Sequence, residues 1–384
     1  MFTSQLKNED KMELLDWTSK QGRILTANGR ASEFYTSERG FPFHDHELPH
    51  HHLLSNNTHS TFSSWIRENP QSETNIIRGA FDRPLFYGGW ENSTNKDEIC
   101  FNIQTSALFI DLRIPRLGDK LFSEAKSLND LSDEEIKLYA RRHVFGGYTK
   151  VNIENDRTVC TRHHCIDWNF TGNPRPRPNK WYVEINDTKE LWKEWAFAKD
   201  DFGQHYYCER WQRYEGDGKG QGFVLAMRKE FNENDDGIIV AVGNHFNYLF
   251  ANQGWDKNRM KGNNTIELID DAIDTGNRSA AENHLLSIDA GHGLIKEGWT
   301  IQDAIHPWKK GVRLFGLDST IQVQGSTIES CKVVIDGISW EILECSVTTS
   351  QLELILNPKK DGDKDSFCLD EILLGINRKR KVIH

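Results

Sequence analysis

The sequence predicts a mainly β protein whose centre is an antiparallel β-barrel, and two observations support this prediction. First, the stretch between His143 and Phe250 alternates apolar and polar residues with the period of a strand, interrupted by short turn-forming segments. Second, segments 162–168, 205–214 and 243–250 place His, Glu, Arg and Tyr among large aromatic residues. Because polar and aromatic residues on one strand face are typical of the lining of a barrel or cleft, we expect a barrel that holds a ligand.

Residues 1–75 differ from the rest of the chain, because helical spacing over 7–20 and 62–69 replaces the strand alternation there. We interpret 1–75 as a helical extension, 76–345 as the barrel domain and 346–384 as a C-terminal segment.

Within the barrel domain, strands begin near Tyr87, and we expect a single barrel that extends to about residue 250. The strands are predicted at 101–105, 107–114, 143–153, 158–169, 180–186, 190–198, 205–214, 221–231 and 237–250. Ser132 and Glu135 form a capping box, which predicts a helix over 132–141. Short helices are predicted at 265–272 and 280–286, and strands at 320–324, 332–335, 339–344 and 352–356, of which 332–344 forms a hairpin against the barrel.

Composition restricts the class of protein. The 384 residues carry a net charge of −10, so no broad basic surface is available to neutralise nucleic-acid phosphates, and we expect no nucleic-acid partner. The N-terminus lacks the pattern of a secretory signal and the chain lacks a long apolar run, so we expect a cytoplasmic protein without a membrane span. Seven scattered cysteines, an odd number, predict free thiols in a reducing compartment.

The strand–turn–strand segment 223–253 resembles a fungal family of lipocalin-like proteins of unknown chemistry that interact with a casein-kinase-type enzyme. The Glu-Arg-Trp strand at 209–211 precedes that segment, and the Gly-x-x-Trp-Glu pattern within 336–344 also matches. The resemblance covers roughly residues 100–345 and implies a lipocalin-like antiparallel barrel and a protein partner. The resemblance implies no particular chemistry and no catalytic residues, because proteins that share a fold can differ in function.

Candidate acid–base residues lie on two of the predicted strands. His164 is the first candidate, because a histidine near a carboxylate can transfer protons, and Glu209 or Asp111 is expected to supply that carboxylate. Glu209 is the second, because burial in the barrel is expected to raise its pKa and make it a proton donor. Glu209 and Arg210 are consecutive, so only one of them can point inward, and we favour Glu209. The alternative for both His164 and Glu209 is a structural role in a polar barrel.

The predicted ligand-binding residues lie on strands that are expected to line the barrel, or at the rim of the barrel. They are Arg113, Trp168, His205, Tyr207, Arg210, Trp211, Asn244, His245 and Tyr248.

No metal or cofactor is expected. Of the five histidines in 44–52, the last three, His50 to His52, are adjacent rather than spaced to converge on an ion, and Cys160 and Cys165 lack the Cys-x-x-Cys spacing. The sequence contains no glycine-rich nucleotide motif, nucleophile elbow or zinc-protease motif.

Two functions agree with these observations. The first is a lipocalin-like barrel that binds a small, partly apolar organic molecule carrying a carboxylate, with cofactor-free isomerase, lyase or cyclase chemistry as its catalytic form. The second is a non-enzymatic scaffold for a protein partner. Ionisable residues that converge inside the barrel favour the first, and an exposed apolar patch favours the second.

Overall fold

The structure, a computed structural model, describes residues 76–375 apart from short gaps. The gaps are 89–90, 95–97, 155, 171–178, 201–202, 231–234, 253–259, 263, 326–327 and 358–365. The predicted N-terminal extension over 1–75 and its histidines at 44–52 lie outside the described residues.

Nine strands form the first sheet, which closes on itself. They are β1 (Gly79–Gly88), β2 (Glu91–Thr94), β3 (Glu98–Gln104), β4 (Leu108–Pro115), β5 (His143–Glu154), β6 (Arg157–Asp167), β7 (Asn179–Ile185), β8 (Leu191–Asp200) and β9 (Gly203–Arg213). The first strand pairs antiparallel with both β3 and β9, so eight strands close a barrel and β2 is a short addition to β1. Sequence neighbours pair in order, which is the up-and-down topology of lipocalins. The predicted fold class, a mainly β protein with an antiparallel barrel, is confirmed.

A second sheet of eight strands follows the barrel in the chain. Its strands are β10 (Val224–Lys229), β11 (Asp235–Val242), β12 (His245–Asn252), β13 (Ile288–Leu294), β14 (Thr300–Ala304), β15 (Ile321–Gln324), β16 (Lys332–Ile335) and β17 (Ile338–Cys345). They pair antiparallel in the order β14-β13-β12-β11-β10-β17-β16-β15. The prediction of a single barrel extending to residue 250 was therefore wrong, because the strands after Arg213 belong to this second sheet. Alternation of period two identifies a strand but does not say which sheet contains it.

Six helices are described outside the two sheets. They are α1 (Arg116–Phe122), α2 (Asp133–Tyr139), α3 (Thr265–Asp274), α4 (Arg278–Leu285), α5 (Thr349–Leu356) and α6 (Ser366–Leu374). The predicted capping box begins α2, where the Ser132 side chain accepts from the Glu135 backbone N–H. The strand predicted over 352–356 is instead helical, because Thr348 and Gln351 form a second capping box that begins α5.

The predicted strand over 237–250 is a tight hairpin. Gly243, with a φ of 60°, turns the chain between β11 and β12, and Val242 pairs with His245 across the turn. A positive φ of this size favours glycine, so Gly243 was the available signal for the turn.

The second sheet packs its two faces against different partners. Ile238, Val240 and Leu249 lie in one apolar core with outward-facing barrel residues such as Leu108 and Ile110. The opposite face packs against the C-terminal helices in a second apolar core. Its main members are Leu225, Met227, Phe246, Trp299, Leu352, Ile355 and Leu373. The barrel therefore has one wall covered by the sheet, and its interior is a separate compartment.

Polar side chains join the sheet to the barrel. The Asn247 amide donates to the carbonyls of Phe101 and Ile110 at 2.9 and 3.2 Å. The Glu344 carboxylate accepts from the backbone N–H groups of Ser106 and Ala107 at 2.7 and 3.2 Å, at the turn between β3 and β4. These hydrogen bonds fix the position of the second sheet relative to the barrel.

Candidate functional site

Strand alternation divides each barrel strand into an outer apolar face and an inner polar face. In β4, Leu108 and Ile110 pack outward against the second sheet, whereas Phe109, Asp111 and Arg113 point to the interior. In β9, Glu209 is fully buried and Arg210 is exposed, as the consecutive pair requires. The barrel interior is therefore lined by ionisable groups that a plain β-core would exclude.

A network of ion pairs occupies the middle of the interior. The Arg113 guanidinium binds both Asp111 oxygens, at 3.0 and 2.8 Å, and both Glu209 oxygens, at 3.1 Å each. Arg83, which lies at a β-bulge in β1, donates to Glu209 at 3.0 Å and to Glu98. Glu209 thus forms ion pairs with two guanidinium groups. The two positive partners oppose the rise of the Glu209 pKa that burial alone was expected to cause, and the role of Glu209 as a proton donor stays a prediction.

Arg162 and Glu194 make the weakest contacts of this network. Nη1 of Arg162 lies 3.8 Å from Asp111 and 3.7 Å from Glu194, which are ion-pair distances too long for hydrogen bonds. Nε and Nη2 of Arg162 and Oε2 of Glu194 have no hydrogen-bond partner within the described part of the chain. The Arg162 side chain is only 2% exposed, and its guanidinium lies 4.8 Å over the Phe109 ring.

Burial and neighbouring charge set the protonation of these two groups. Burial raises the pKa of Glu194 to about 8, with Arg162 opposing the rise and Glu209 adding to it. Burial would lower the pKa of Arg162, but Glu194 and the other nearby acids raise it. Near neutral pH, Glu194 is therefore mainly protonated and Arg162 is a cation.

Aromatic rings close the interior beside Arg162. Trp192 and Trp211 stack with centroids 5.6 Å apart, and Phe81 meets Trp192 edge to face at the same distance. Both indole rings are buried, and neither Nε1–H has a hydrogen-bond partner among residues that the structure describes. This side of the barrel combines an apolar wall with unpaired hydrogen-bond donors.

His164 is oriented by a carboxylate. Its Nδ1 lies 2.7 Å from Oδ2 of Asp167, and its ring stacks on Phe145 with centroids 4.3 Å apart. The expected partners, Glu209 and Asp111, are bound by arginines instead. Asp167 reaches His164 because a β-bulge opposite Gly146 and Gly147 breaks the alternation of β6. A Cβ at Gly147 would collide with the His163 carbonyl, so this bulge requires glycine.

The structure brings part of the predicted site together. Arg113, Glu209 and Trp211 line the interior, and Arg113 lies 5.4 Å over the Phe145 ring on which His164 stacks. The side chains of His205 and Tyr207 lie outside the described parts of the chain, so their roles stay predictions.

Five predicted ligand-binding residues lie elsewhere. Arg210 is exposed on the outer face of β9, opposite in direction to Glu209. Trp168 follows the bulge of β6 and packs outside the barrel, where its indole donates to the Ala140 carbonyl at 2.8 Å.

The other three belong to the second sheet, which was wrongly assigned to the barrel. The Asn244 side chain accepts from the Lys296 N–H at 2.9 Å. His245 lies 2.6 Å from the Glu215 carbonyl, and the Tyr248 hydroxyl donates to Asp289 at 3.1 Å, on the face that packs toward the helices.

Sequence reasoning missed Arg83, Arg162, Trp192 and Glu194. The available signal for Arg162 was its position two residues before His164, and for Glu194 the strand alternation with Trp192. Arg83 gave no such signal, because a bulge sets its direction.

Other chemistries find no support among the described residues. The five cysteines with described surroundings are free thiols, as predicted, and burial raises the pKa of Cys160 beside Arg162 to about 12, so this thiol is not a nucleophile near neutral pH. No group of three metal-binding side chains converges in the described ranges. None of the described helices has the length and apolar character needed to cross a membrane.

Comparisons with known proteins leave the family of this chain open. No family model matches it, and no curated protein matches it. A crystal structure of an uncharacterized protein from Saccharomyces cerevisiae aligns with a TM-score of 0.41 and 12% identity, over 70% of this chain and 98% of that one.

Proposed function

We propose that the barrel binds a small, partly apolar organic molecule through its carboxylate, and that Arg162 receives this carboxylate. The supporting observation is the edge of the Arg162 guanidinium formed by Nε and Nη2. Both atoms are buried, and neither has a hydrogen-bond partner in the described structure. This edge matches a carboxylate with two parallel hydrogen bonds.

Two other arginines of this chain bind a carboxylate through the same edge of the guanidinium group, formed by Nε and Nη2. Nε and Nη2 of Arg113 bind the two oxygens of Asp111, and Nε and Nη2 of Arg228 bind the two oxygens of Asp236, at 3.2 and 2.7 Å. Arg162 is buried as deeply as these two residues but has no such partner. Because buried polar groups are nearly always paired, a ligand carboxylate is the chemically matched partner.

The apolar part of the ligand is expected to contact the aromatic wall. Trp192, Trp211 and Phe81 supply flat apolar surfaces beside Arg162, and the two indole N–H groups can donate to further ligand oxygens. An apolar wall with a few directed polar groups is typical of small-molecule sites. A planar carboxylic acid therefore fits this compartment best.

Isothermal titration with benzoate and 2-naphthoate tests this proposal. The Arg162→Gln variant is expected to bind either acid on the order of 10- to 100-fold more weakly, because a charged hydrogen bond contributes about 1.5–3 kcal/mol. The matched control is Arg210→Gln, which removes an exposed arginine and should leave binding unchanged.

A second comparison does not depend on how well the variants fold. The neutral amides of the same two acids should bind the wild-type protein at least tenfold more weakly than the acids. Equal affinity of Arg162→Gln and Arg210→Gln, or binding of neither acid, would reject the proposal and favour a scaffold for a protein partner.

Acid–base catalysis on the bound acid is the second candidate. The 2.7 Å contact between His164 and Asp167 supports it, because a carboxylate that orients an imidazole is typical of general bases. Such a base would serve a cofactor-free isomerase, lyase or cyclase. Phenylacetate in D₂O, followed by proton NMR, should exchange its α-protons with wild-type protein and lose this exchange with Asp167→Asn. Absence of exchange with the wild type would reject the catalytic candidate and leave the binding proposal standing.

A further inference from the structure

Among the interior residues that the structure describes, carboxyl groups outnumber guanidinium groups. Among the described interior residues, three guanidinium groups, of Arg83, Arg113 and Arg162, face four carboxyl groups, those of Glu98, Asp111, Glu194 and Glu209. One of these described carboxyl groups therefore has no guanidinium group of its own. Because a weakly paired buried charge is strongly unfavourable, we expect a proton on the most weakly paired of these acids.

Glu194 is that acid by its contacts. Asp111 and Glu209 each accept two close hydrogen bonds from Arg113, and Glu98 pairs with Arg83. Glu194 has only the 3.7 Å approach of Arg162, and its Oε2 has no hydrogen-bond partner within the described residues. Its partner across the strand pair is Glu209, another negative group.

A carboxylate ligand on Arg162 would neutralise the positive group that forms an ion pair with Glu194, and it would place a second negative charge beside Glu194. We propose that the barrel binds a carboxylate only while Glu194 carries a proton, so that binding takes up a proton whenever Glu194 is ionised beforehand. This inference rests on the proposed function, because it requires Arg162 to receive the ligand. It adds that the site binds an anion only in the state in which Glu194 is neutral.

The charged groups around Glu194 determine the direction of the pH dependence. Arg162 on β6 and Arg113 on β4 favour its ionised form, whereas Glu209 on β9 and Asp111 on β4 oppose it. In the ligand-free protein, burial raises the pKa of Glu194 to about 8. Below that pH Glu194 already carries its proton, so ligand affinity should be constant. Above it, each binding event must take up a proton, and affinity should fall about tenfold per pH unit.

Isothermal titration of 2-naphthoate between pH 6 and 9.5 tests the inference. At pH 9, titrations in two buffers of different ionisation enthalpy should show the uptake of about one proton per ligand by the wild-type protein. The Glu194→Gln variant, which mimics the protonated acid, should bind with constant affinity over the whole range and take up no proton. Glu184→Gln, which removes an exposed glutamate on β7, is the matched control and should behave like the wild type.

Failure of this inference differs from failure of the proposed function. Binding by the wild type with constant affinity and no proton uptake up to pH 9.5 would overturn the proton coupling but leave the Arg162 site standing. Retention of the pH dependence in Glu194→Gln would overturn the assignment to Glu194. If 2-naphthoate does not bind at any pH, the proposed function fails and this inference fails with it.

Discussion

Nδ1 of His245 and Nε2 of His292 face each other at 3.4 Å inside the second sheet. Nδ1 of His292 lies 2.9 Å from the Asn247 carbonyl oxygen, and Nε2 of His245 lies 2.6 Å from the Glu215 carbonyl. Since these oxygens accept hydrogen bonds, His292 must carry its proton on Nδ1 and His245 on Nε2. In their neutral forms the two facing nitrogens are therefore both acceptors, with no proton between them.

We predict that this tautomer pair is present at pH 7 and persists to mildly acidic pH. Burial lowers the pKa of His245, and burial together with the neighbouring His245 lowers that of His292 well below its usual range. Long-range ¹⁵N–¹H NMR of the imidazoles should find His245 protonated on Nε2 and His292 on Nδ1. His306, whose Nε2 lies 2.8 Å from the Ile288 carbonyl, is an internal reference for the Nε2-protonated form. A proton on Nε2 of His292 at pH 7 would contradict the assignment.

His306 should make the protein less stable as the pH falls. Burial lowers its pKa to about 4, so the folded chain binds fewer protons at this site than the unfolded chain, whose ordinary histidine pKa is about 6.5. The stabilisation is therefore complete above pH 6.5 and decreases as the pH falls toward 4. Between pH 7 and pH 5 this one group should lower the free energy of unfolding by about 2 kcal/mol.

Urea unfolding of His306→Gln at the two pH values measures that contribution. The substitution also removes the contact of 2.7 Å between the Tyr139 hydroxyl and Nδ1 of His306, which changes the stability at both pH values. The loss of stability between pH 7 and pH 5 should nevertheless be smaller in the variant by about 2 kcal/mol. An unchanged difference between the two pH values would show that His306 does not titrate in this range.

Local direction could be predicted from the sequence, but long-range pairing could not. Alternation correctly separated Glu209 from Arg210 and Asp111 from its apolar neighbours on β4, because successive side chains of a regular strand point to opposite faces. The directions of Trp168 and Asp167 were not predictable, because a bulge interrupts β6.

The choice of partners for each strand was a second limit. The pairing of β1 with β9 closes the barrel, and no local pattern specifies a contact between segments more than 100 residues apart. The same limit applied to β11 and β12, whose apolar alternation suits either sheet. Asn244, His245 and Tyr248 were consequently assigned to the barrel interior, although they belong to the second sheet. Arg162 and Glu194, which do lie in the barrel interior, were not predicted as site residues.

Asn247 should be the most sensitive polar residue of the contact between sheet and barrel. Its fully buried amide donates to two barrel carbonyls and accepts from His292. We expect Asn247→Ala to lower the free energy of unfolding by roughly 2–3 kcal/mol, because buried polar groups lose their partners. Urea unfolding measures the change. Asn283→Ala, at an exposed position of α4, is the control and should differ from the wild type by no more than about 0.5 kcal/mol. Equal stability of the two variants would show that the Asn247 bonds do not hold the sheet on the barrel.

Glu194 and Glu209 offer the sharpest contrast, because they are buried partners across one strand pair and should respond oppositely to the same substitution. Glu209 forms ion pairs with Arg83 and Arg113, so Glu209→Gln leaves two guanidinium groups without that charge and should cost about 3–5 kcal/mol. The pKa of Glu194 is about 8, so at pH 7 the folded chain holds a proton there that an unfolded glutamate releases. That difference lowers stability progressively as the pH rises from about 4.5 to 8.

Glutamine at position 194 does not titrate, so the substitution removes this difference in proton binding between the folded and unfolded chains. We therefore expect Glu194→Gln to raise the free energy of unfolding at pH 7, by an amount on the order of 3 kcal/mol, and to be nearly neutral at pH 4.5. Urea unfolding of both variants at pH 4.5 and pH 7 measures the two effects in the same experiment. If both substitutions destabilise the protein to a similar extent at pH 7, Glu194 forms a stabilising ion pair as Glu209 does, and it does not hold a proton at that pH.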